Sequence, residues 1–137
     1  MDLRNLINQY LRLRGSYPLA GNDSVIKLKI NEETVIAFEE SIENGYFFLF
    51  AVIDSLAQGR EIDVLAEALS SNLFNRETGN ASIGFDKDTK SFVLFQKISL
   101  NPMDEYQLQE IVSLFLVHLS YLKVKFDELN LLHKGIL

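Results

Sequence analysis

His118 and His133 are the only two imidazoles in this chain, so metal or general-base chemistry would have to start from them. They stand fifteen residues apart, and neither has a second histidine at i±4 or a carboxylate placed as a helical co-ligand. Both read as helix-face or tail residues. Asp86-Lys87-Asp88 opens like a calcium loop, but its sixth position is Ser91 instead of glycine and its twelfth is Lys97 instead of glutamate. A hairpin turn is the better reading. Glu32-Glu33 and Glu39-Glu40 look like acid/base couples. Neighbours on a strand point to opposite faces, however, so neither pair can work on one substrate. There is no G-x-S-x-G, and the seven glycines form no phosphate-binding pattern. With no cysteine there is neither thiolate chemistry nor a disulfide framework. The residues point to no enzyme, no metal and no cofactor, which leaves binding.

The elements that would present a binding surface come from a chain of 137 residues, 47% hydrophobic and 23% charged, values of a folded globular protein. That length suits one domain, residues 1–137, with a sizeable core. A net charge of −6 argues against a nucleic-acid partner. The acid is concentrated: nine carboxylates between Asn31 and Glu67 face Arg60 alone. The first thirty residues lean basic, with Arg4, Arg12, Arg14, Lys27 and Lys29 against Asp2 and Asp23. The N-terminus lacks the apolar stretch of a signal peptide, and the longest charge-free apolar run, Tyr46–Ile53, is too short to cross a membrane. A soluble cytoplasmic protein without membrane insertion is expected.

Tyr46–Ile53 reads as a central strand, rich in aromatic and β-branched residues. Phe47, Leu49, Ala51 and Ile53 line one face, and Tyr46, Phe48, Phe50 and Val52 the other. Both faces want cover. Before it, Asp2–Arg14 carries a helical recurrence of Leu3, Leu6, Ile7, Tyr10, Leu11 and Leu13. Val25–Ile30 alternates, with Ile26, Leu28 and Ile30 inward and Lys27 and Lys29 outward as edge guards. Thr34–Glu40 completes a three-stranded meander. Glu61–Phe74 is a second helix with Ile62, Leu65, Ala66, Leu69 and Leu73 on one stripe. A hairpin of Ala81–Phe85 and Ser91–Lys97 follows. Asn101 as cap and Pro102 as first residue announce a last helix running to about Leu132, with Leu108, Ile111, Val112, Phe115, Leu119, Leu122, Phe126 and Leu129 on its face. Leu114, Leu116, Val117 and Val124 widen that face.

The order α-β-β-β-α-β-β-α predicts an α+β fold, a five-stranded antiparallel sheet with helices packed on it. Val25–Ile30 and Ala81–Phe85 should be its edges, and the second has no lysine or proline to guard it. The first helix offers more apolar surface than one side of a small sheet can take. Such an excess marks a protein-binding site.

In this arrangement the sequence resembles the class I chaperones of bacterial type III secretion, the Tir-chaperone family. Three segments carry the resemblance: Ile30-Asn31-Glu32-Glu33-Thr34-Val35 leading to Asn44-Gly45-Tyr46-Phe47-Phe48-Leu49; Leu65–Leu73 followed by Ile83-Gly84-Phe85-Asp86; and Phe92–Phe95 running into Ile98-Ser99-Leu100 and the long helix. It departs at Asn44-Gly45, where many relatives carry a glycine pair, and in having no tryptophan in the last helix. The resemblance implies a bacterial cytoplasmic homodimer that holds the N-terminal segment of one or more effector proteins in extended form, with unfolding left to a separate secretion ATPase. It places the dimer interface at Leu65, Leu69, Leu73, Ile83 and Phe85. Effector binding falls to Leu3, Leu6, Ile7, Tyr10 and Leu11, with Ile26, Leu28, Ile36 and Phe38. Ile83→Asp is then expected to yield monomer or insoluble protein, and Leu6→Glu or Ile7→Glu to spare the dimer while abolishing binding. A different role on the same fold is a regulatory module that sequesters a transcriptional regulator of secretion.

Overall fold

The computed structural model describes residues 2–56, 59 and 61–133, and side chains as far as Leu129. Helix α1 (Leu3–Leu13) starts where the Asp2 carboxylate accepts the Asn5 amide at 2.8 Å, an N-cap on an otherwise orphaned donor. Strands β1 (Val25–Asn31) and β2 (Thr34–Glu40) form a hairpin in which Ile26 opposes Phe38 and Leu28 opposes Ile36. Strand β3 (Tyr46–Ser55) follows, then α2 (Glu61–Asn72), which tightens into a 3-10 turn at Leu73–Asn75. The second hairpin joins β4 (Ser82–Asp86) to β5 (Ser91–Ser99), with Ile83 opposite Leu94 and Phe85 opposite Phe92. The long helix α3 (Glu105–His133) closes the described chain. Strand order is β1-β2-β3-β5-β4, which makes the apolar β3 central and β1 and β4 the edges, as the pattern requires.

The start of α3 differs from expectation. Asn101 and Pro102 lie before the helix, and the cap is Asp104. Its carboxylate accepts the Gln107 amide at 2.8 Å while the Gln107 side chain accepts the Asp104 amide at 2.9 Å. This reciprocal box satisfies two donors at once, which a lone asparagine cap cannot do.

The chain divides into two compact units. The first, Met1–Leu49 with Lys97–Ser113, contains α1, β1, β2 and the beginnings of β3 and α3. Its interior is built from Leu3, Leu6, Ile7, Tyr10 and Leu11 of the helix and from Ile26, Leu28, Ile36, Phe38, Phe47 and Leu49 of the strands. The Phe38 and Phe47 rings lie 6.2 Å apart. The alternation of each strand and the 3.6-residue period of the helix turn these side chains to one common side. Each large apolar group so buried contributes about 1.5–3 kcal/mol.

The second unit, Phe50–Gln96 with Leu114–Leu137, contains α2, β4 and most of β5 and α3. Phe92 sits at its centre, 5.1 Å from the Phe85 ring and 5.3 Å, edge on, from Phe126. Ala51, Ile53, Ile83, Leu94, Phe115, Leu119 and Leu122 complete this core. Here α2 turns Val64, Ala68 and Ser71 inward, a face of small side chains.

Candidate functional site

With small residues inside, α2 leaves its large ones outside. Ile62, Leu65, Leu69 and Leu73 follow one another at helical spacing on the solvent side, Leu69 at 69% exposure. Phe74, at the end of this row, is 83% exposed and holds a left-handed backbone (φ 55°) that an aromatic residue rarely adopts. Of the expected dimer residues, Leu65, Leu69, Leu73 and Phe85 are therefore exposed, while Ile83 is buried within the second unit. Ile62 and Phe74 extend the row beyond the expected dimer residues; Ile62 stood on the stripe read from the sequence, and Phe74 did not. A second apolar row lies on α3, where Leu114, Val117, Tyr121 and Val124 are exposed at alternating steps of three and four. Sequence pattern joined Leu114, Val117 and Val124 to the core face, whereas the structure puts them opposite it.

Two polar attachments hold α2 with this face outward. At its end, the Asn72 carboxamide accepts the Ile83 amide at 2.7 Å and donates to the Ile83 carbonyl at 2.8 Å. Midway, Lys125 of α3 bonds Glu67 of α2 at 2.5 Å and both carboxylate oxygens of Glu77 at 2.8–2.9 Å. Ser71 donates to Glu77 at 2.9 Å, within the same group. The hydrogen bond from Lys125 pulls the Glu77 carboxyl below its usual range, against the opposing effect of burial. Burial works to lower the Lys125 ammonium, yet Glu67 and Glu77 outweigh it and raise it. His118 joins the same region, its Nδ1 3.1 Å from the Glu77 carbonyl. A Cβ on Gly79 (φ 64°) would stand 2.6 Å from His118 Nε2, so glycine is required there twice over. The His133 side chain lies outside those described.

In the first unit the picture is reversed. All nine residues expected to receive an effector (Leu3, Leu6, Ile7, Tyr10, Leu11, Ile26, Leu28, Ile36 and Phe38) are buried. The apolar excess expected on α1 is thus taken up by its own sheet, and Leu13 alone of that set is exposed. What this unit leaves open is β1, whose outer main-chain edge has no partner among the described residues. Beside it runs a groove of about 400 Å³ lined by Arg4, Leu19, Asp23, Val25, Ile26 and Lys27. A neighbouring depression of about 270 Å³ is lined in part by Leu3 and Ile26. The Arg4 guanidinium donates to the Asp23 carbonyl at 3.0 Å and fixes one wall. Among the described residues no three potential metal ligands gather. Among those residues, no helix is long and apolar enough to cross a membrane.

The same architecture occurs in proteins of distant sequence. A chain of the HopA1–SchA chaperone–effector complex superposes with a TM-score of 0.69 at 16% identity, covering 87% of this chain and 91% of that one. A chain of the heterodimeric ExoU–SpcU complex from the type III secretion system of Pseudomonas aeruginosa gives 0.68 at 17% identity, over 85% and 94%. For the ExsC–ExsE complex the values are 0.68 and 19%, over 90% and 95%. At such identities the likeness is one of fold. No curated protein matches this sequence. The family model that does match runs over residues 5–123, from the first turns of α1 into α3, and through it the chain belongs to the Tir chaperone protein (CesT) family.

Proposed function

We propose that this chain is a type III secretion chaperone of the bacterial cytoplasm, which binds the N-terminal segment of one or more effectors and keeps it extended for export. Residues 1–137 act in this as one domain, by binding alone, with no catalysis and no cofactor. The observation that carries the reading is the open edge of β1 beside its groove. An unfolded segment can add there as a sixth strand, with main-chain hydrogen bonds giving affinity and alternate side chains entering the groove. Ordering such a segment costs about 2–5 kcal/mol, which asks for a long contact. Leu3 and Ile26 meet the segment directly, and Leu6, Ile7, Tyr10, Leu11, Leu28, Ile36 and Phe38 form the wall behind them. Support comes also from the similar structures, one of them a chaperone–effector complex and one from a type III secretion system.

Two copies would join through α2, burying Leu65, Leu69, Leu73 and Phe85, with Ile83 as the buried support beneath. Covering the exposed part of each leucine contributes a fraction of the roughly 1.5–3 kcal/mol of a full burial, and the row together offsets the cost of association. Release and unfolding of the client fall to the secretion ATPase. The net charge of −6 steers basic clients and affects rate more than affinity.

The test is mass spectrometry of what co-purifies with the tagged protein from its own cell, followed by limited proteolysis of the complex. An exported protein protected over its N-terminal segment is the expected result. Recovery of a regulator bound as a folded domain, or of a small molecule alone, would overturn the proposal.

A further inference from the structure

We propose that Asn72 latches the β4 edge shut, so that strand addition to this sheet is confined to β1. The geometry leaves little room on β4. In an antiparallel pair, successive residues alternate between exchanging both main-chain bonds with the facing strand and pointing both away. The Ile83 amide and carbonyl are both held by Asn72, so Ile83 points away from its opposite number Leu94 and toward the free edge. Ala81, two residues earlier, shares that direction. Its amide donates to the Thr78 carbonyl at 3.1 Å, and its carbonyl accepts from the Asn75 side chain at 3.1 Å. Only the groups of Phe85, at the strand's far end, are without a partner among the described residues. A carboxamide carries one acceptor and one donor at the spacing of a peptide unit, so Asn72 imitates a neighbouring strand for one residue. The unguarded edge expected from Ala81-Ser82-Ile83-Gly84 is thus guarded by side chains from α2 and the turn after it.

Among the described residues no side chain imitates a strand in this way at β1, whose exposed lysines are Lys27 and Lys29. Two β1 edges pairing with each other would set lysine against lysine, an unfavourable cross-strand arrangement. A foreign segment with neutral or acidic residues at those positions meets no such repulsion. One edge is therefore closed to all strands, and the other is closed to its twin and open to a client. The inference deepens the chaperone reading and takes from it only the identity of the admitted segment.

The latch can be tested on the chain alone, without a client. Asn72→Ala keeps the helix, since alanine is the best helix former. It is expected to associate beyond the wild-type assembly as concentration rises in sedimentation. Hydrogen exchange should slow at Ser82–Phe85 in the associated species, with the Ile83 amide exchanging faster when dilute. Adding Ser82→Lys, a charge of the kind that guards natural edges, should return the wild-type sedimentation profile. Should Asn72→Ala not fold, Asn75→Ala frees the Ala81 carbonyl on this edge, together with the Gly79 carbonyl in the preceding turn, and is expected to show a weaker form of the same association. A folded Asn72→Ala that sediments like wild type at every concentration overturns the latch. So does association that Ser82→Lys leaves unchanged. Neither result bears on whether wild type carries an effector, so the two proposals fail separately.

Discussion

The two units of this molecule are adhesive in opposite ways. The first buries most of the apolar face of α1 and leaves main chain exposed along β1, its exposed large apolar residues (Leu13, Tyr17, Val35, Ile42 and Tyr106) being scattered along the chain. The second ties up its edge main chain with Asn72 and Asn75 and leaves apolar side chains exposed on α2 and α3. These are two different chemistries of recognition. An open strand edge can be satisfied by extended segments of many sequences, because the bonds come from peptide groups and only the flanking side chains discriminate. An apolar helical row is satisfied only by a folded surface that matches its spacing. One unit is suited to an unfolded client, the other to a folded partner such as a second copy.

Substitutions can break this contrast, and the largest effect belongs to the first unit. Leu6→Glu or Ile7→Glu places a charge where no side-chain atom meets water. Binding is then lost together with the fold, at a cost of about 4 kcal/mol or more, read as loss of the cooperative melt by circular dichroism. Retention of a folded dimer by Leu6→Glu would show that α1 is not the interior element described. Ile83→Asp meets the same fate in the second unit, because Ile83 is buried there. Leu69→Glu separates fold from assembly. Its side chain is exposed in the single chain, so stability should stay within about 0.5 kcal/mol of wild type while the sedimenting mass halves.

Smaller effects sharpen the picture of how α2 is held. Lys125→Met removes the cation shared by Glu67 and Glu77 and should cost about 2 kcal/mol in denaturant unfolding. Since Glu77 is held below its ordinary value of 4.5, its contribution is complete above that pH and fades as pH falls through the lower folded value. Melting temperature measured from pH 6 downward should therefore drop less steeply for Glu77→Gln than for wild type; equal slopes would show Glu77 unpaired. Gly79→Ala should lose about 1–2 kcal/mol from its left-handed backbone, before the clash with His118 is counted. The gentlest test is Lys27→Glu, expected to leave the melt unchanged while altering the rate at which charged client segments associate.

Much of this was legible in the sequence. Period-two alternation in Val25–Ile30 and the charge-free run Tyr46–Ile53 determined an edge and a centre, because a strand's two faces are set by parity alone. The eight elements and their order followed in the same way, and the family was legible as a resemblance carried by three segments, which the family model over residues 5–123 bears out. Periodicity says which residues share a face but not whether that face is covered. On α2 the row of leucines looked like any core stripe, yet the smaller Val64, Ala68 and Ser71 went inside. On α1 the broad face looked excessive, yet Phe38, Phe47 and their neighbours had room for all of it. The bonds from Asn72 to Ile83 span eleven residues between a helix end and a strand edge. No local pattern announces them, because hydrogen bonding between distant segments is decided only when packing brings donor and acceptor within 3 Å.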